Sequence, residues 1–240
     1  MYPPDDSHKY HTECQSKVIS RRPEGGDPAN ARSALIWNRD VRFDLAVIAS
    51  WIEPGSRVLG LGCGEGELLY YLKTHKNVRE TGIEIVESRV AKCIEKGLCV
   101  LQGDINRELE DYPDKAFDYV ILSQTLQQVY DPPRLIAAML RIGHKAIVSF
   151  PNFGHWRIRA QLLFGGRAPV TEQLPYQWYD TPNIRVLSIR DFRIFAGQMK
   201  IAIVKEVATS PGRISDSGRV VRFWPNLRAT YGLFQLRGRP

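Results

Sequence analysis

The chain has 240 residues, 43% hydrophobic and 25% charged, with a formal net charge of +7. That length suits one α/β domain with a sizeable core, and no apolar run approaches a membrane span. Cys14, Cys63, Cys93 and Cys99 form no Cys-x-x-Cys pair and no metal-ligand spacing, so they are read as reduced thiols of a cytoplasmic protein, and no metal is expected. The charge is uneven. Residues 1–40 are balanced, whereas the segment 209–240 sets Arg213, Arg219, Arg222, Arg228, Arg237 and Arg239 against Asp216 alone. A nucleic-acid binder would more often carry a basic face interleaved with aromatics, so nucleic acid is not expected as a partner.

Residues 1–40 are rich in Pro, Gly, Asp, Ser and Arg without sustained periodicity, and are read as a mobile extension. A single domain is expected over 41–240. Leu45, Ile48, Ala49 and Ile52 recur at helical spacing until Pro54-Gly55 stops the helix. Strands and helices then alternate: strand 57–61, helix 67–75, strand 78–84, helix 87–96, strand 98–103. The segment 117–123 is apolar at nearly every position, the pattern of a strand buried on both faces. A helix at 132–142 and a strand at 145–150 follow, and the alternation argues for a parallel sheet covered by helices on both sides. Residues 151–187 break the pattern with four prolines among His155, Trp156, Tyr176, Trp178 and Tyr179. This aromatic insertion leaves the fifth strand at its C-terminal end, where open α/β sheets bind ligands. Regular order resumes with a helix from Ser188 to about Met199, a strand at 201–208 and a last strand at 229–236.

The most specific local signal is at residues 57–66, Arg-Val-Leu-Gly-Leu-Gly-Cys-Gly-Glu-Gly. A short apolar strand runs into Gly60, Gly62, Gly64 and Gly66 with Cys63 among them, and Glu67 opens a helix. Glycine lets a backbone turn sharply and lie against a ligand, and the helix start adds free N–H groups and a positive dipole end. Glu84 and Asp104 stand at the ends of the next two strands, with Ile105 after Asp104, and Ser123-Gln124 ends the fourth. This set resembles the class I S-adenosylmethionine-dependent methyltransferases. The resemblance implies a Rossmann-like, mostly parallel seven-stranded sheet with an antiparallel last strand. It also implies S-adenosylmethionine or S-adenosylhomocysteine held by the glycine turn, with Glu84 on the ribose and Asp104 beside the adenine.

Four longer stretches resemble the MetW family of methionine-biosynthesis proteins: 52–59 (Ile-Glu-Pro-Gly-Ser-Arg-Val-Leu), 118–127 (Asp-Tyr-Val-Ile-Leu-Ser-Gln-Thr-Leu-Gln), 149–156 (Ser-Phe-Pro-Asn-Phe-Gly-His-Trp) and 174–183 (Leu-Pro-Tyr-Gln-Trp-Tyr-Asp-Thr-Pro-Asn). The likeness spans about Phe43 to Leu236. It implies a role beside a separate homoserine O-acyltransferase, as an accessory or regulatory partner. One position departs from the methyltransferase pattern: Gly60 stands where an acid normally ends the first strand. Two readings stay open. Losing a charge-assisted hydrogen bond would weaken cofactor binding by roughly ten- to a hundred-fold, or a water or Glu65 substitutes at little cost.

Methyl transfer needs chiefly alignment of acceptor and methyl group. If an acceptor also needs a base, His155 and Asp180 are the candidates, with Tyr176 and Tyr179 as positioning groups. The same aromatics equally suit a protein interface. The absence of a Gly-x-Ser-x-Gly elbow argues against the chain being an acyltransferase itself. An accessory subunit and an active small-molecule methyltransferase therefore stand as alternatives.

Overall fold

The computed structural model describes residues 42–172, 174–212 and 218–238. The mobile extension expected at 1–40 lies outside the described residues. Helix α1 (Phe43–Ser50) leads into the alternating series β1 (Arg57–Leu61), α2 (Glu67–Lys76), β2 (Arg79–Glu84), α3 (Glu87–Glu95) and β3 (Val100–Gln102). A short helix α4 (Ile105–Glu108), β4 (Phe117–Ser123), α5 (Pro132–Ile142) and β5 (Gly143–Pro151) complete the first half. After them come α6 (Trp156–Gly165), α7 (Ile189–Gln198), β6 (Ala202–Pro211), β7 (Gly218–Val220), α8 (Pro225–Arg228) and β8 (Tyr231–Arg237).

The strands form one sheet in the order β3-β2-β1-β4-β5-β8-β6-β7. β1 to β5 pair in parallel, and β8 runs antiparallel between β5 and β6. The sheet has eight strands rather than the seven expected. The additional one, β7, is three residues long and pairs with the end of β6 at the sheet edge. A strand so short carries no period-2 pattern that a sequence can show.

Successive side chains of a strand face opposite sides of a sheet, and both sides are apolar here. Val58, Tyr119, Ile121, Ile147 and Leu233 pack with Ile48 of α1 and Leu69 and Leu72 of α2. Leu59, Val120, Leu122, Val148 and Phe234 pack with Ile136 and Met139 of α5 and Phe192 of α7. The seam that admits β8 is aromatic. The rings of Phe150 and Phe234 stack at 5.7 Å, and Phe192 lies 4.5 Å from Phe234. Each such side chain contributes about 1.5–3 kcal/mol by leaving water.

The segment 151–187 contains a helix, α6, that the sequence reading missed. Only Ile158 of α6 is buried, while Leu162, Leu163 and Phe164 are exposed, so no apolar stripe at helical spacing marks it. Its end was nonetheless signalled: Gly166 caps it in the left-handed region at φ +57. The start of α7 follows from Ser188 and Asp191, whose side chains and backbone N–H groups form a reciprocal capping box.

Asn152, 1% exposed, ties this region to the sheet. Its Nδ2 donates to the carbonyls of Asn226 (3.0 Å) and Ala229 (2.7 Å), and its Oδ1 accepts from the N–H groups of Gly154 (3.0 Å) and Ile189 (3.3 Å). Asn152→Ala leaves these buried groups without partners and is expected to lower the unfolding free energy by about 3 kcal/mol. Urea denaturation checks this, and a loss below about 1 kcal/mol would show that the amide is not the tie.

Candidate functional site at the glycine turn

Between β1 and α2 the chain turns through three glycines at positive φ: Gly62 and Gly64 at +59 and Gly66 at +77. Gly66 is fixed by space as well as by backbone. A Cβ there would stand 2.4 Å from Leu98 Cδ1 and 2.9 Å from Cys93 Sγ. The turn is held by Glu84, which is 3% exposed at the end of β2. One carboxylate oxygen accepts the Gly64 N–H at 2.8 Å. The other accepts the N–H groups of Ile85 and Val86, each at 3.1 Å. An ionised carboxylate offers about four acceptor positions, so the three bonds leave Glu84 with capacity for one more.

A cavity of 280 Å³ opens on this turn. Of the residues expected from the sequence, Gly60, Gly62, Cys63, Gly64, Ser123 and Gln124 line it. Glu84 and Gly66 stand behind it as supports. Arg42, Glu67 and Arg89 also line it and were not anticipated. Asp44, 5% exposed, organises one wall. It accepts from Arg42 Nη2 at 3.0 Å, Arg42 Nε at 3.3 Å and Gln124 Nε2 at 2.7 Å. Gln124 itself is at φ +55, with its N–H donated to the Ser149 carbonyl at 2.8 Å. One signal could have revealed Asp44: it lies four residues before Ile48, on the buried face of an apolar helix, where an unpaired charge is costly.

Gly60 is not demanded by backbone conformation, since its φ is not positive. Space is the constraint: a Cβ would lie 3.2 Å from both Leu69 Cδ atoms. Glu65, one possible substitute for the missing acid, is paired with Lys92 at 2.6 Å. Asp44 instead places a buried carboxylate directly behind the cavity wall, supplied from α1 rather than from β1.

The remaining expected residues lie elsewhere. Asp104 caps α4, with one oxygen accepting the Asn106 N–H (2.9 Å) and Nδ2 (2.7 Å). With Ile105 it lines a separate 520 Å³ cavity beside α5. His155 lines a 730 Å³ cavity at the ends of β5 and β6. Tyr176, Tyr179 and Asp180 are exposed and line neither that cavity nor the one at the turn. Cys63 and Cys93 are free thiols, and Cys14 lies outside the described residues. Burial, then the neighbouring Cys93 and the Glu84 charge, push the Cys63 thiol far above its ordinary value. A thiol so held is not a nucleophile near neutral pH.

The parallel sheet with its wedged antiparallel strand, together with the glycine turn, defines a class I methyltransferase-like protein. Solved S-adenosylmethionine-dependent methyltransferases share the fold. One from Thermotoga maritima aligns with a TM-score of 0.60 at 19% identity, covering 80% of this chain and 86% of that one. One from Mesorhizobium loti aligns with a TM-score of 0.60 at 15% identity, covering 84% and 100%. Residues 42–236 match the family model of methionine biosynthesis protein MetW, and the chain belongs to that family. A bifunctional methionine biosynthesis protein MetXA/MetW of Rhodopirellula baltica is 36% identical over 176 residues, which are 70% of this chain and 28% of the relative. A phosphoethanolamine N-methyltransferase of Triticum aestivum is 27% identical over 105 residues, 41% of this chain and 21% of the enzyme. The chain thus spans under a third of the length of these curated relatives. No helix among the described residues is long and apolar enough to cross a membrane.

Two outcomes follow from the geometry of the turn. Glu84→Ala strands three backbone N–H groups and is expected to cost about 3 kcal/mol in a urea titration without any ligand. A cost within about 0.5 kcal/mol of zero would mean that the turn holds its shape unaided. Native-state alkylation of Cys63 by iodoacetamide at pH 8 is expected to be far slower than that of free cysteine. Mass spectrometry of the tryptic peptides reads it, and labelling at the free-cysteine rate would contradict the raised pKa.

Proposed function

We propose that the chain binds S-adenosylmethionine or S-adenosylhomocysteine at the glycine turn and acts as an accessory or regulatory partner of a homoserine O-acyltransferase. The observation that carries the cofactor half is the turn itself. Three positive-φ glycines are held open by a buried carboxylate that keeps one acceptor position. In this reading the ribose takes that position on Glu84. The backbone from Gly60 to Gly64, with Cys63 between, lies against the cofactor, and Ser123 and Gln124 face it from β4. Asp104 and Ile105, which line the separate cavity beside α5, are given to the adenine by the methyltransferase resemblance alone. Any bound cofactor would supply the methyl chemistry. The residues here bind, orient and exclude water.

Two observations support the partner half. The Rhodopirellula relative is a bifunctional MetXA/MetW protein, so a MetW unit there shares a chain with a second unit. The segment after β5 also exposes large apolar groups: Trp178 is 75%, Tyr179 70% and Phe164 85% exposed. Such side chains are the usual anchors of an interface. A second reading, methyl transfer to a small molecule, is favoured by the 730 Å³ cavity on the same edge of the sheet, with His155 in its wall.

Calorimetry with S-adenosylmethionine is expected to show binding in the micromolar range or weaker, and no heat at millimolar ligand would refute the cofactor half. For the partner half, co-expression with a homoserine O-acyltransferase should give co-elution on size exclusion and altered acyl transfer. Trp178→Ala or Tyr179→Ala should reduce both while leaving the fold intact. Separate elution with equal acyltransferase activity would sink the accessory role. Methyl transfer to a small molecule by the chain alone would then put the second reading ahead.

A further inference from the structure

A cavity of 730 Å³ lies within the range of small-molecule sites. It lies at the ends of β5 and β6, between the start of α6 and the short helix α8. Arg157, Arg219 and Arg228 stand in its walls with His155, and Glu172 is the one acid among the lining residues. Among the described residues, none of these three guanidinium groups has an ion-pair partner. Arg42, Arg57, Arg134, Arg141 and Arg193, by contrast, each hold a carboxylate. Among the described lining residues three cations stand against one anion, gathered on one concave surface from three separate elements, and that surface carries net positive charge.

The local geometry adds two donors of fixed sense. The Arg157 guanidinium lies over the Trp156 ring at 5.5 Å, a contact that orders an otherwise free side chain. His155 caps α6, and its Nδ1 accepts the Arg157 N–H at 3.3 Å. The proton of the neutral ring is therefore on Nε2, which leaves that nitrogen as a donor. Burial and the Arg157 charge hold the ring below its ordinary pKa, so it is neutral at pH 7. The N-terminal end of the ten-residue helix α6 adds its positive dipole end to the same wall.

We propose that this cavity is a binding site for a small oxyanion-bearing molecule, a carboxylate or phosphate compound, held by Arg157, Arg219 and Arg228. The planar guanidinium fork matches both kinds of oxyanion. Glu172 opposes binding of compact, highly charged anions at its own side of the cavity. It favours a ligand whose anionic end lies toward the arginines. The site is separate from the glycine turn, and the proposal needs neither cofactor binding nor methyl transfer.

The test is calorimetric titration of the full chain, without cofactor, using inorganic phosphate in one arm and citrate in the other. Saturable binding is expected in at least one arm, and the tighter arm identifies the phosphate or the carboxylate class. Arg219→Gln/Arg228→Gln should weaken binding by about ten-fold or more for each guanidinium lost. The melting temperature of the ligand-free protein should not change, because both side chains are exposed and have no ion-pair partner among the described residues. Arg157→Gln is a second variant should the double variant fold poorly. Arg237→Gln, at the opposite end of β8, should leave binding unchanged. The proposal is overturned if neither probe binds saturably at millimolar concentration. It is equally overturned if the cavity variants bind as the parent does, or if Arg237→Gln weakens binding as much as they do.

Discussion

The arrangement of the glycine turn depends on one buried carboxylate. Glu84 sits at the C-terminal end of β2, where the parallel register with β1 sets Gly60 opposite Gly82 and Leu61 opposite Ile83. That register carries the acid past the end of β1 and up to the glycine turn. A charge this deeply buried is tolerable only when it is hydrogen-bonded, and the partners it finds are backbone N–H groups on two loops at once. The bond to Gly64 fixes the turn, and the bonds to Ile85 and Val86 start the connection into α3. Loop shape and charge burial are thus one interaction.

The same edge of the sheet carries a second polar arrangement around Tyr231. This residue faces Pro151 on β5 and Thr209 on β6. Burial pushes its phenol up to about 12, with a further contribution from Asp44 and from Glu172 and an opposing one from Arg42. Asp44 and Arg42 belong to the turn cavity, and Glu172 to the arginine-lined one. Tyr231 therefore lies within electrostatic reach of both cavities, and a change of charge in either is felt at one half-buried side chain.

What was legible in the sequence followed from strong local patterns. The strand-turn-helix at 57–76 announced itself through alternating glycines, and β4 through an unbroken apolar run. Ser188 and Asp191 marked the start of α7. Weak patterns hid the rest. Helix α6 exposes its apolar residues and buries little, so periodicity could not reveal it. Asp104 looked equivalent to Glu84, each an acid at a strand end. In the fold Glu84 reaches the turn, while Asp104 bonds to Asn106 and caps a short helix. Gly60 read as a missing acid, whereas the packed structure shows Leu69 against it and an acid from α1 near by.

The sequence by itself determined the alternation of strands and helices, the glycine turn and the family, because these rest on contacts between residues close in the chain or on linear motifs. Only the tertiary structure decided which acid holds the turn, that Asp44 stands behind Gln124, and that Arg157, Arg219 and Arg228 share one cavity. Glu84 lies 20 positions from Gly64 and Gln124 80 from Asp44, and Arg157 comes from a helix far upstream of Arg219 and Arg228. The arginines meet because β8 inserts between β5 and β6 and draws the ends of three strands together, whereas Glu84 reaches the turn through the β1–β2 register, and no local pattern encodes either long-range pairing.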